Sequence, residues 1–216
     1  MKLLGKSLVG CLLAAAVGAA FAAPVTYDNS ATKVDGWHPF GSPDTTTYGE
    51  VFTLSSAATL DNWTFYAGDG NSGNLRFGLA AFNGSTPVGP SLYTSGILNY
   101  AGGAQALTAS SINQTLAAGE YYAYITTFGV AGPVSDVGID YSANSTAIGV
   151  GFDYNNSGGG DPFMTGSWSG VIAGGQGLAF TATFDTPAHV PEPATLALSV
   201  LGLAAAVAAS RKRKSQ

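Results

Sequence analysis

Leu75-Arg76-Phe77-Gly78-Leu79-Ala80-Ala81-Phe82 alternates along its length, with Leu75, Phe77, Leu79 and Ala81 on one side. Successive side chains of an extended chain point to opposite faces, so this period of two predicts a strand with one buried face. Working outward, Glu120–Phe128 reads the same way. Tyr122, Tyr124 and Phe128 fall on one side and Tyr121, Ala123 and Ile125 on the other. Leu60–Ala67 puts Trp63 and Phe65 on one face, and Leu178–Phe184 turns Leu178, Phe180, Ala182 and Phe184 inward. Val25–Tyr27, Tyr48–Leu54, Val134–Tyr141 and Ala147–Tyr154 are shorter strands, and Leu92–Leu98 and Gln105–Leu116 are weaker ones.

Gly68-Asp69-Gly70-Asn71-Ser72-Gly73 and Asn83-Gly84-Ser85-Thr86-Pro87 are turn sequences between these strands. Trp37-His38-Pro39-Phe40 reads as irregular structure. No stretch between Pro24 and Pro193 carries an apolar period of 3.6, so no helix is predicted there. The expectation is an all-β domain: an antiparallel β-sandwich of jelly-roll type or a closely related topology, with nine or ten strands. The strand next to the C-terminal tail is expected to pair near the N-terminal one.

Charge narrows the partners. Lys2, Lys6, Arg211, Lys212, Arg213 and Lys214 lie in the two terminal segments. Between Ala23 and Pro193 only Lys33 and Arg76 stand against all thirteen acids, a net of −11. Such a body is repelled by phosphate backbones and anionic lipid, which excludes nucleic acid as a partner. Cys11 is the single cysteine and lies in the leader, so the mature chain has no disulfide.

Met1–Ala22 has the form of a secretory signal peptide. Lys2 and Lys6 open it, Leu8–Ala20 is its apolar core, and Ala20-Phe21-Ala22 is a small-x-small site with cleavage between Ala22 and Ala23. The other end is tripartite. Val190-Pro191-Glu192-Pro193 lies in a Pro-rich stem at 188–193, where the prolines fix φ and remove N–H donors. An apolar run at 194–210 follows. As a helix it would be about 25 Å long at roughly 1.5 Å per residue, the short end of what spans a bilayer. Arg211, Lys212, Arg213 and Lys214, in the basic segment 211–216, cannot follow it into lipid and stay on the cytoplasmic side.

The order of Pro191-Glu192-Pro193, apolar helix and basic end resembles the PEP-CTERM sorting signal. The resemblance implies export from a Gram-negative bacterium and an inner-membrane-anchored precursor with a single transmembrane helix. It further implies recognition by an exosortase-type membrane protease and transfer to the cell surface or its polysaccharide matrix. The segments Gly73–Gly84, Val88–Gly96 and Leu116–Ile125 together look like a recurrent β-sandwich domain of PEP-CTERM surface proteins. The expected organisation is a signal peptide at 1–22 and a sandwich at 23–187, followed by the stem, the transmembrane run and the basic end.

Catalytic residues are hard to find, and none is predicted. His38 and His189 are the only histidines, and Gly166-Ser167-Trp168-Ser169-Gly170 has Trp where a nucleophile elbow needs Ser. Glu50 and Glu120 are the only glutamates of the body. With Asp136, Asp140, Asp153 and Asp161 they are the candidates for a glycosidase pair, though both glutamates read as solvated strand starts. Asp153, Asn155 and Asp161 lie in a Gly/Asn-rich loop that matches half of a calcium loop. That loop lacks the bidentate twelfth ligand, since Met164 stands there, so no cofactor is predicted beyond an irregular calcium cage. Trp37, Tyr154 and Trp168 sit beside Asn and Asp and are the aromatic candidates for stacking on sugar rings.

The leading expectation is an exported, non-enzymatic surface protein associated with exopolysaccharide of a biofilm matrix. The alternatives are a carbohydrate-active enzyme on the same fold and a purely structural, self-associating matrix component.

Overall fold

The computed structural model describes residues 23–143, 148–156, 160–165, 168–171, 176–186 and residue 202. The predicted signal peptide, the sorting residues Val190–Pro193, the apolar run apart from Gly202, and the basic end lie outside the described residues. Among the described residues, no helix is long and apolar enough to cross a membrane.

The body, Ala23–Pro187, forms one compact unit of strands. In chain order the elements are β1 (Val25–Asp28), β2 (Lys33–Phe40), β3 (Thr47–Leu54), β4 (Ala58–Asn71), β5 (Gly73–Phe82), β6 (Pro87–Tyr100), β7 (Gln105–Ala109) and β8 (Gln114–Leu116). Then come β9 (Gly119–Thr126), β10 (Ser135–Ser142), β11 (Gly149–Asn155), α1 (Pro162–Thr165), β12 (Trp168–Val171), β13 (Gly177–Leu178) and β14 (Phe180–Asp185). One sheet runs β1-β14-β4-β10-β13, with β2 also on β10 and β7 and β8 on β4. The other runs β12-β11-β3-β9-β5-β6. The strand pairs of the described residues are antiparallel, and β5 and β6 are joined by the short turn at 83–86 that such pairing allows. The terminal strands pair as expected, with Val25 opposite Phe184.

The predicted alternation sets the core. Leu75, Phe77 and Leu79 of β5 and Tyr121, Ala123 and Ile125 of β9 face Leu60, Trp63 and Phe65 of β4 and Phe180, Ala182 and Phe184 of β14. Trp63 is fully buried and stacks on Phe180, centroids 4.7 Å apart. Side chains of this size each contribute roughly 1.5–3 kcal/mol when buried. The apolar faces of two sheets have no other way to leave water, so they close on one another.

Several local expectations are corrected. Trp37-His38-Pro39-Phe40 is not irregular; it belongs to β2, paired with β10. Register shifts between Val137 and Ile139 and between Ile139 and Tyr141 break the period of two that would have revealed it. The turn after Ala67 shrinks, because β4 runs on to Asn71. Gln105–Leu116 is two strands, separated where Ser111 and Asn113 take positive φ. Leu178–Phe184 is likewise divided, into β13 and β14. A single helical turn, α1, stands where no helix was expected.

Candidate functional site

The site is on the outward face of the six-stranded sheet. Alternation sends Tyr122 and Tyr124 of β9 to that face, next to Val51 of β3 and to Ala80 and Phe82 of β5. The two rings stack on each other at 5.4 Å and 15°. They can lie flat because the neighbouring strands carry glycine there. A Cβ at Gly78 would fall 2.1 Å from Cζ of Tyr124, and one at Gly49 would fall 2.5 Å from Cζ of Tyr122. Phe163 of α1 and Trp168 of β12 cover the pair. Phe163 lies 5.7 Å from Tyr124, and Trp168 stands edge-on to Tyr122 at 5.3 Å. The Tyr122 hydroxyl donates to the Asp153 carbonyl at 2.7 Å, which pins the ring. Burial pushes the pKa of Tyr122 well above the ordinary phenol range.

Beside this aromatic floor opens a cavity of about 570 Å³. Arg76 of β5 is cross-strand from Thr126 of β9 and one step along the outward face from Gly78. The β6 segment with Ser91 and Thr94 makes one wall, and Asp161 and Phe163 make another. The Tyr124 and Ser91 hydroxyls are hydrogen-bonded at the cavity edge. The Asp161 carboxylate accepts the Phe163 N–H at 3.0 Å and so sets the start of α1.

The electrostatics of this cavity are unusual for the body. Among the described residues, Lys33 pairs with Asp140 and also lies over the Tyr66 ring, and His38 pairs with Asp69 and Asp136. Arg76 is in none of these ion pairs. Its Nε is buried and has no hydrogen-bond partner. A buried Nε–H without an acceptor carries a desolvation cost.

The aromatic residues expected to bind sugar are not brought together. Trp37 lies flat on Tyr141 at 4.8 Å and 5°, and packs on Phe152 at 4.5 Å. Tyr154 stacks on Phe152 and meets Tyr48 edge-on, so it shares that inner pile with Trp37. Trp168 stands on the opposite face. The three expected calcium ligands are described. Asp153 and Asn155 are buried in β11. Asp153 Oδ1 accepts the Tyr154 N–H while its Oδ2 has no partner, and Asn155 Nδ2 donates to the Pro162 carbonyl. Burial raises the Asp153 pKa to about 6. Among the described residues, no group of three or more His, Cys, Asp or Glu is placed to hold a metal ion.

Glu50 is not the solvated strand start that its sequence suggests. It is 2% exposed inside the sandwich, where Leu178 N–H donates to Oε2 at 2.8 Å. Burial pushes its pKa well above the ordinary carboxyl range. Glu120 is exposed, as expected, opposite Thr53. Glu50 is opposite Ala123 in the same ladder, so the two carboxyls leave the sheet on opposite faces.

Arg76, Ser91, Tyr124 and Phe163 were not singled out by the sequence. One signal was present: Arg76 is the one cation inside a strongly alternating strand, on the side away from Leu75, Phe77 and Leu79.

No curated protein and no solved structure matches the chain. The family model of the PEP-CTERM protein-sorting motif matches residues 189–214. The motif marks an exported protein whose membrane-anchored precursor is processed by an exosortase, a membrane protein, and sorted to the cell surface. The chain therefore carries a PEP-CTERM sorting motif, in the segment that contains Pro191, Glu192 and Pro193.

Proposed function

We propose that this protein is a non-enzymatic component of the extracellular matrix of a Gram-negative bacterium and binds exopolysaccharide there. The observation that supports this is the outward cavity. It combines hydroxyl and carboxylate acceptors, a guanidinium donor and an aromatic wall, the mixture that a polyhydroxylated ring needs. The separation of Glu50 and Glu120 on opposite faces speaks against that pair as glycosidase carboxyls, which must flank one bond.

In this reading the signal peptide is removed between Ala22 and Ala23, and the apolar run with Arg211–Lys214 holds the precursor in the inner membrane until the exosortase acts. No cofactor is required. The sandwich is taken to be of jelly-roll type, a reading supported by the pairing of the first strand with the last. A glycan array probed with protein recovered from the cell surface tests the proposal. Retention on polysaccharide fragments is expected; a blank array would overturn it.

A further inference from the structure

We infer that the outward cavity selects an acidic sugar, a uronic-acid residue whose carboxylate is received by Arg76. This rests on the polysaccharide reading above and names the sugar class.

Arg76 is the starting point. The body holds two cations against its many acids, and Lys33 is already paired with Asp140. Arg76 is left with a buried, unpartnered Nε in a cavity of about 570 Å³. A guanidinium presents a planar fork of donors that matches a carboxylate in two parallel hydrogen bonds. Among the described residues no carboxylate forms an ion pair with Arg76, so we assign that acceptor to the ligand.

The other walls say what carries it. Asp161 faces the same space, and its charge disfavours a ligand that is anionic over its whole surface. It accepts hydrogen bonds from hydroxyls, as do Ser91, Thr94 and Tyr124. Phe163 offers an apolar face to the C–H side of a pyranose ring. A carboxylate at one end and hydroxyls at the other describe a uronate. The volume lies within the roughly 300–1,000 Å³ of small-molecule sites.

The acidity of the whole body shapes the salt response. A long polyanion is repelled at a distance, but that field is screened beyond about 8 Å at physiological ionic strength. Contact with Arg76 is made inside that range. Added salt therefore weakens the long-range repulsion more than the short contact with the partly buried Arg76.

The test is calorimetric titration of protein recovered from the cell surface. The probes are trigalacturonate, triglucuronate, their carboxyl-reduced neutral trimers, and acetate. One of the acidic trimers is expected to bind about tenfold tighter than its neutral counterpart, the effect of one charge-assisted pair. Arg76→Gln should bring the two within about twofold, and Asp161→Asn, which keeps an acceptor for the Phe163 N–H, should tighten the acidic trimer. If Arg76→Gln does not fold, the Asp161→Asn arm decides: no tightening overturns the inference. Equal binding of acidic and neutral trimers overturns the inference and leaves the polysaccharide reading standing. Acetate displacing the acidic trimer at equal concentration reduces the site to an anion hole and also overturns it. Binding of no trimer removes both.

Discussion

Glu50 and Asp153 are buried carboxyls, one inside the sandwich and one on β11, where the Asp153 carbonyl accepts the Tyr122 hydroxyl. Asp153 keeps its proton up to about pH 6 in the fold, whereas in the unfolded chain it releases it near 3.8. Folding therefore takes up a proton in that window, and its contribution is complete below about pH 4 and lost as pH rises through 6. Glu50, also raised, acts in the same direction. Thermal melts should show stability falling as pH rises from about 4 through about 6, with Glu50 extending the fall to higher pH. Asp153→Asn should remove the part of the fall that ends near 6, and Glu50→Gln should flatten the part above it and raise the melting temperature on the alkaline side. An unchanged slope in both variants would contradict the assignment. Sequence placed Trp63 in the core because its neighbours alternate, but it could not place Glu50. Alternation does assign that glutamate to the inner face, with Phe52 and Tyr48, but an acid normally overrides such a reading.

At the level of elements, strands β5 and β9 were legible because their large side chains sort onto two faces, Leu75, Phe77 and Leu79 inward on β5 and Tyr122 and Tyr124 outward on β9. Strand β2 was not legible, because its bulged pairing with β10 scrambles the alternation. The aromatic floor was half legible. Tyr122 and Tyr124 were assigned to one side, but the glycines that let their rings lie flat are on two other strands, and no local pattern links them. Gly78→Ala would drive a Cβ into the Tyr124 ring, which has no room beneath Phe163. Overpacking of this kind should cost about 1–3 kcal/mol in chemical denaturation. The cost should shrink in the Gly78→Ala/Tyr124→Ala double variant, as contact between the two sites requires. Additive losses would show that the ring and the glycine do not meet. Trp63→Ala, in the centre of β4, should cost about 3–5 kcal/mol by the same measurement.

At the scale of the molecule, the fold class and the sorting signal were both readable, for different physical reasons. The fold follows from patterning carried by β4, β5, β9 and β14, and the signal from a short tripartite order of rigid stem, apolar run and cations. The cavity was not readable, since Arg76, Ser91, Tyr124 and Asp161 come from four separate segments that only the sheet brings together. The chain is an acidic two-sheet body with a sorting motif at residues 189–214, whose processing is expected to leave the body without that tail. Mass spectrometry of the polypeptide recovered from the cell surface tests this most directly, beside a variant with Pro191, Glu192 and Pro193 replaced by Ala. Surface protein should lack the apolar run and Arg211–Lys214, while the variant should stay full length in the inner membrane. Surface protein that still carries residues 194–214, or a variant released as efficiently as the parent, would contradict the account.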